Sequence, residues 1–309
     1  MWYTRCDLSF PAFEKLKETW PHYSQGHNMS IIQLRQNYHR EICEQILAAP
    51  SGIPNIADKG SKASKQIAKN LVGRLDYPLA PKSPPGQRAG TLFEQITSEF
   101  LEQAFNLLHH LRPGEWCFSE NQNISTFEQY EHLADIQQAL KENPELAAAL
   151  GGDYLVTPDI VIGRYQVSDT EINRITPVVN EADPISRLTP LRKGNRPTPR
   201  LILHASISCK WTIRNDRAQN IRTEALNLIR NQKGHVPHVA VVTAEPLPTR
   251  LASLALGTGD LDCVYHFALN ELQEAVREVG SDDQLDMLQG MIDGRQLRDI
   301  SDLPFDLAI

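Results

Sequence analysis

The 309-residue chain is short of positive charge: 31 Lys and Arg stand against 38 Asp and Glu, a formal net of -7. This balance excludes a protein held to nucleic acid by bulk charge alone, though not one with a local basic face. No apolar run approaches the roughly 20 residues that span a bilayer. The N-terminus, MWYTRCDLSF, lacks the charged start and apolar stretch of a signal peptide. Five cysteines (Cys6, Cys43, Cys117, Cys209, Cys263) are odd in number, scattered and without a CxxC pair. They argue against a disulfide scaffold or zinc ribbon and for a reducing cytoplasm. Internal repeats and low-complexity tracts are also missing. What is present, 41 % hydrophobic and 22 % charged residues, suits a globular chain with a sizeable core.

The charge is unevenly spread. Residues 51–90 carry seven basic side chains against Asp58 and Asp76, and residues 200–233 carry seven against Asp216 and Glu224, a net of +5 each. Residues 260–309 hold twelve acids and three arginines, a net of -9. Two basic segments in an acidic protein fit one face built for a polyanion and another that repels it; two solvated helix faces would give the same counts.

Apolar spacing predicts helices over 31–48, from about 60 to 75, over 91–111, over 127–141, from Pro144 (Asn143 as cap, Gly151 as stop) and over 218–231. YPLAPKSPPGQRAG reads as a loop or hinge. Strands are expected at YLVTPDIVIG (154–163), LILHASISCKWTI (201–213) and HVAVVTA (238–244), with the polar stretch 164–200 an excursion from the sheet. Strand, helix and strand in succession favour an α/β sheet flanked by helices. One domain over 1–309 accommodates this, with a helical N-terminal extension (1–50), a mainly helical part (51–150) and a sheet-containing core (151–309).

One pattern carries chemistry. Asp159 sits at a strand end in TPDIVIG, Lys210 lies 51 residues on in SISCKWTI, and Glu224 follows 14 residues later in RTEALN. Phosphodiester hydrolysis needs carboxylates to hold a hard divalent cation such as magnesium, and a cation nearby to orient water or stabilise developing negative charge. Asp159 closing a turn and Lys210 leaving an edge strand would explain the same residues structurally. Against that, a lysine in an otherwise apolar strand is costly unless paired.

From about Ser51 onward the segments PGQ-x-x-G-x-x-FE, ENPELAAALG, TPDI, LHASISCKWTIR-x-DRAQN, VVTAEP, LGTG and DCVYHFAL occur in order. In these the chain resembles the type II restriction endonucleases of the PD-(D/E)XK superfamily; residues 1 to about 30 lie outside the resemblance. The resemblance implies a restriction-endonuclease-like α/β core, a central mixed β-sheet with helices on both faces. It implies Asp159 and Glu224 as metal-binding carboxylates, the Cys209 carbonyl as a further ligand, Lys210 as the catalytic lysine and Glu94 as an auxiliary acid that orders water. Most members carry an acid two residues before the lysine; here Ser208 stands there, so Glu224 must reach back to the site.

Arg214, Asp216 and Arg217 in WTIRNDRAQN suit G·C pairs, since arginine matches guanine O6 and N7 and aspartate accepts from cytosine N4. On residues alone an Arg214–Asp216 loop pair serves as well; the resemblance implies that the segment reads a central CCGG. It also implies Arg250 and Asp58 at the outer base pairs, with Ser61 in a loop (ADKGS) one residue longer than the family's, and Gln87 as a minor-groove probe. The site would then be GCCGGC, cut after the first G to leave a 5′-CCGG overhang. The implied partners are double-stranded DNA, Mg2+ and further copies of the chain, as a dimer of dimers. Two rival readings are a DNA-binding protein that does not cut and a less specific repair nuclease sharing the core.

Other candidates fare poorly. His235 and His238 in GHVPH lack two further zinc ligands, GTG at 257–259 is too short for a phosphate loop, and Trp211 reads as core.

Overall fold

The structure, a computed structural model, describes residues 29–145, 155–193, 200–257, 259–279 and 282–309; the side chains of 215–217 are also outside the description. Of the expected helix from Pro144, all beyond Glu145 lies outside the described residues, as do residues 1–28 and most of ENPELAAALG. Among the described residues, six strands form one sheet in chain order: β1 (Trp116–Glu120), β2 (Ile160–Arg164), β3 (Ile202–Lys210), β4 (His238–Thr243), β5 (Cys263–His266) and β6 (Leu297–Asp299). β1, β2 and β3 pair antiparallel, while β3 through β6 are parallel. The mixed α/β sheet is thus present.

Helices α1 (Ile31–Gln45), α2 (Lys62–Leu75), α3 (Gly86–Leu107), α6 (Pro248–Ala255), α7 (Leu269–Val279) and α8 (Asp282–Asp293) contribute to the larger core, which takes Ile160, Ile162, Ala205, Ile207 and Cys209 from one face of the sheet. On the other face, α4 (Glu131–Glu142) and α5 (Asn215–Asn231) close a smaller core around Phe127, Tyr130, Val161, Leu203, Ala225 and Leu228. Helix α1 is no appendage: Tyr38 bonds Thr97 of α3 at 3.0 Å, and His39 reaches the Phe267 carbonyl at 2.7 Å.

Differences from the expected elements have local causes. Pro85 caps α3 with φ already at -53°, so Gly-Gln-Arg-Ala-Gly continues into helix and buries Ala89, although its glycines and prolines read as loop. The strand expected at 154–163 begins only at Ile160, because Pro158 cannot donate to a ladder. Strands β1, β5 and β6 went unread; with three to five residues each, they are too short to show a period.

One irregularity positions the site. Ile162 pairs with Ala205 but Gly163 pairs with Leu203, leaving His204 as a bulge. Leu203 therefore faces the smaller core, whereas Ala205, Ile207 and Cys209 face the larger one. Ser206, Ser208 and Lys210 consequently project toward the α5 side. Gln129 secures the bulge by bonding both the Leu203 carbonyl and its N–H, at 2.8 and 2.9 Å.

Candidate active site

Asp159 directly precedes β2, on the same face as Val161, and its carbonyl accepts the Asn121 N–H at 3.1 Å. Its Oδ2 takes two donors, the Cys209 N–H at 2.7 Å and the Lys210 ammonium at 2.6 Å. Both side chains of the ion pair are largely buried, at 24 % exposure for Lys210 and 16 % for Asp159. Among the described residues no hydrogen bond reaches the other Asp159 oxygen.

Burial works to lower the Lys210 ammonium, but the charge and hydrogen bond of Asp159, helped by Glu224, hold it above its ordinary value. It is a fixed positive charge at neutral pH. Glu224 stands on α5, half-buried, where the charges of Lys210 and Asp159 reach it. Burial raises its carboxyl, with Lys210 lowering it and Asp159 raising it again. Glu94, in the middle of α3, is likewise raised, first by burial and then by the charge of Asp159, while Lys210 opposes. Elements from three parts of the chain thus deliver Asp159, Lys210, Glu224 and Glu94 to one partly buried place.

Ser208 is two residues before Lys210 on the same face and is half-buried. The Cys209 thiol points into the larger core, and burial pushes it well above its ordinary value; the residue meets the site through its backbone. No group of three or more His, Cys, Asp or Glu side chains suited to a metal exists among the described residues. Asp159 and Glu224, whose charges act on one another, are nevertheless the kind of oxygen donors that a hard divalent cation takes, alongside waters and phosphate oxygens.

A second cluster gathers three of the expected base readers. Arg214 is exposed and extended immediately before α5. Arg250, the third residue of α6, pairs with Asp58 in the loop before α2. The Gly60 N–H on Oδ1, at 2.8 Å, is the main reason that Asp58 sits below the ordinary carboxylate range, and Arg250 and Arg214 add to it. Ser61 caps α2, its hydroxyl accepting the Ser64 N–H at 3.1 Å. Gln87 is exposed in the first turn of α3, and its carbonyl accepts from Thr91 at 3.3 Å. Asp216 and Arg217 lie in the first turn of α5, but their side chains are outside the description.

One acid escaped sequence reasoning. Glu245, in the TAEP turn after β4, is fully buried and touches both Arg250 and the backbone before Arg214. An acid closing an apolar strand was the available signal. Of the weaker candidates, Trp211 packs edge-on to Phe93 with ring centroids 5.3 Å apart. His238 pairs with Asp262 at 3.3 Å, and His235 is exposed. Thr258 of the GTG turn lies outside the described residues.

The sequence profile of the NgoMIV restriction enzyme family matches residues 38–309. The type II restriction enzyme NgoMIV of Neisseria gonorrhoeae is 48 % identical over 289 aligned residues, which cover 91 % of this chain and 100 % of that protein. Among solved structures, a PspGI restriction endonuclease–substrate DNA complex aligns with a TM-score of 0.34 and 15 % identity, over 72 % of this chain and 61 % of that one. The type IIF restriction endonuclease Bse634I with cognate DNA aligns with a TM-score of 0.34 and 14 % identity, over 80 % and 91 %. These two likenesses are too weak to speak for activity.

Proposed function

Because the chain belongs to the NgoMIV restriction enzyme family, we propose that it is a type II site-specific deoxyribonuclease that cuts double-stranded DNA at a CCGG-containing palindrome. The recognition site in this reading is GCCGGC, cut after the first G to leave a 5′-CCGG overhang. The supporting observation is the Lys210–Asp159 pair at 2.6 Å, with Glu224 and Glu94 close enough for the charges of that pair to move their protonation.

In this reading Asp159, Glu224 and the Cys209 carbonyl would hold Mg2+, for which an oxygen-only donor set is a good match. When bound, the ion supplies a Lewis acid for the phosphate and lowers the pKa of a water. Lys210, held protonated, orients the attacking water or stabilises the charge that builds on the phosphate. Glu94 orders water from α3, and Ser208 takes the place where most superfamily members carry an acid. Asp159 has a second task, since its Oδ2 keeps the Lys210 ammonium from swinging away.

Arg214, Asp216 and Arg217 read the CCGG centre, Arg250 and Asp58 the outer pairs, with Ser61 beside them and Gln87 probing the minor groove. The clustering of Arg214, Arg250 and Asp58 supports this division. A palindrome calls for a two-fold dimer with one active site per strand. Assembly beyond the dimer, to a tetramer, is supported by the excursion after β2, which exposes Ile175, Val178, Ile185 and Leu188 on a well-braced loop.

Plasmid incubated with the protein and Mg2+ tests the reading. Discrete fragments are expected; no fragments would favour a binding protein that does not cut, and a smear a less specific nuclease. Sequencing the ends of a digested genome then gives the site and overhang together.

A further inference from the structure

The assigned base readers sit on separate elements, and one buried carboxylate joins two of them. Glu245 is 0 % exposed. Its Oε2 accepts the Ile213 N–H at 3.0 Å and lies 3.6 Å from Arg250 Nη1. Its Oε1 accepts the Leu247 N–H at 3.1 Å, and its own N–H donates to Thr243 Oγ1 at 3.2 Å. Ile213 directly precedes Arg214, and Leu247 caps α6, on which Arg250 stands.

A buried carboxylate opposes folding unless its oxygens are well bonded. Burial indeed pushes Glu245 above the ordinary carboxylate range, while the Ile213 and Leu247 N–H groups and Arg250 act against that rise. A neutral amide would fill the same space with less desolvation. What the charge adds is a grip on one arm of the Arg250 guanidinium, whose other arm is held by Asp58. With the fork clasped from both sides and the same carboxylate tied to the backbone before Arg214, the two arginines are fixed relative to each other.

We propose that Glu245 is a positioning residue for recognition: it sets the orientation of Arg250 relative to the Arg214 segment, so selectivity at the outer base pair depends on a side chain that touches no DNA. This rests on the reading of Arg214 and Arg250 as base readers.

The test compares kcat/KM on duplexes carrying GCCGGC, a site changed only at the outer pair, and a site changed only at an inner pair. Wild type, Glu245→Gln, Arg250→Ala and the double variant are assayed with Mg2+. Glu245→Gln should lower the outer-pair preference by about tenfold and leave the inner-pair preference within about twofold. The double variant should be no worse at the outer pair than Arg250→Ala, since both changes remove one effect. An unchanged outer-pair preference in Glu245→Gln, with Arg250→Ala losing it, overturns the proposal and leaves the base-reading assignment standing. An equal fall in both preferences marks Glu245 as merely structural and overturns it too. If Arg250→Ala changes neither preference, the reader assignment fails and the proposal with it. Should the glutamine variant not fold, Glu245→Asp, which withdraws the charge by one methylene, is judged by the same ratio.

Discussion

The ammonium of Lys210 and the backbone N–H of Cys209 converge on a single oxygen of Asp159, at 2.6 and 2.7 Å. The carboxylate is thereby fixed in rotation, and the lysine is held at the open end of β3. Lys210→Ala is expected to reduce cleavage by roughly 10²–10³-fold, the usual cost of removing one preorganised stabilising donor, while binding of the cognate duplex persists. Single-turnover cleavage beside a gel-shift titration measures both. Residual activity within about tenfold of wild type would count against the role given to Lys210.

Glu224 and Glu94 lead to a prediction with a definite sign. Burial raises both carboxyls, so the fold favours their neutral forms. The stability this brings is complete below the unfolded value of about 4.3 and is lost as pH climbs through the folded value. At neutral pH both acids therefore oppose folding. Without metal, Glu224→Gln should melt higher than wild type at neutral pH, and the gain should fade as the buffer is taken below the ordinary carboxylate range. Cleavage should run the opposite way, failing as acid protonates Glu224 and so removes a ligand for the cation. A Glu224→Gln variant that melts lower than wild type at neutral pH would refute this account of the site's cost.

Mg2+ should offset the same cost. An ion that binds only the folded state stabilises by RT ln(1 + [L]/Kd), about 2.7 kcal/mol at a hundredfold excess over Kd. The melting temperature of wild type should rise with added Mg2+ and fall back with chelator. Asp159→Asn should show little of the rise. An equal rise in that variant would place the ion elsewhere.

Much of this site was legible because its chemistry dictates residue types: an acid after proline at a strand end, a lysine in an apolar strand, a second acid one helix on. Their convergence was not legible, since it depends on antiparallel pairing of β2 with β3 and on the His204 bulge, which turns Lys210 toward α5. The sheet's far half escaped for a different reason. β5 is buried at all four residues and β6 spans three, so neither shows an alternation to read. Glu245 was hidden because its partners are backbone N–H groups and an arginine brought to it only by tertiary packing.

Arg214 precedes α5 in an extended conformation and is exposed, placed to reach outward from the domain. If it reads guanine, Arg214→Ala should cost about 1–3 kcal/mol on the cognate site and far less on sites already altered at that base pair. Competition binding with single-base variants separates the two. A uniform loss on every sequence, with a shallower salt dependence, would make Arg214 a phosphate contact instead.

The excursion after β2 bears on assembly. Arg192, 5 % exposed, binds Asp169 through two hydrogen bonds of 2.6 and 2.5 Å and reaches the Ile185 and Asn180 carbonyls, both at 3.2 Å. Such bracing is unusual for a loop that then leaves Leu188 93 % and Ile175 87 % exposed. Apolar side chains held rigidly outward lose little entropy when a second copy covers them. If the chain assembles as the proposed tetramer through this excursion, Leu188→Asp should halve the mass seen by sedimentation velocity, leaving a dimer. Its effect on melting of the isolated dimer should be small, within about 0.5 kcal/mol, because the side chain contributes nothing to the core. An unchanged mass in Leu188→Asp and in Ile185→Asp would remove the excursion from the assembly.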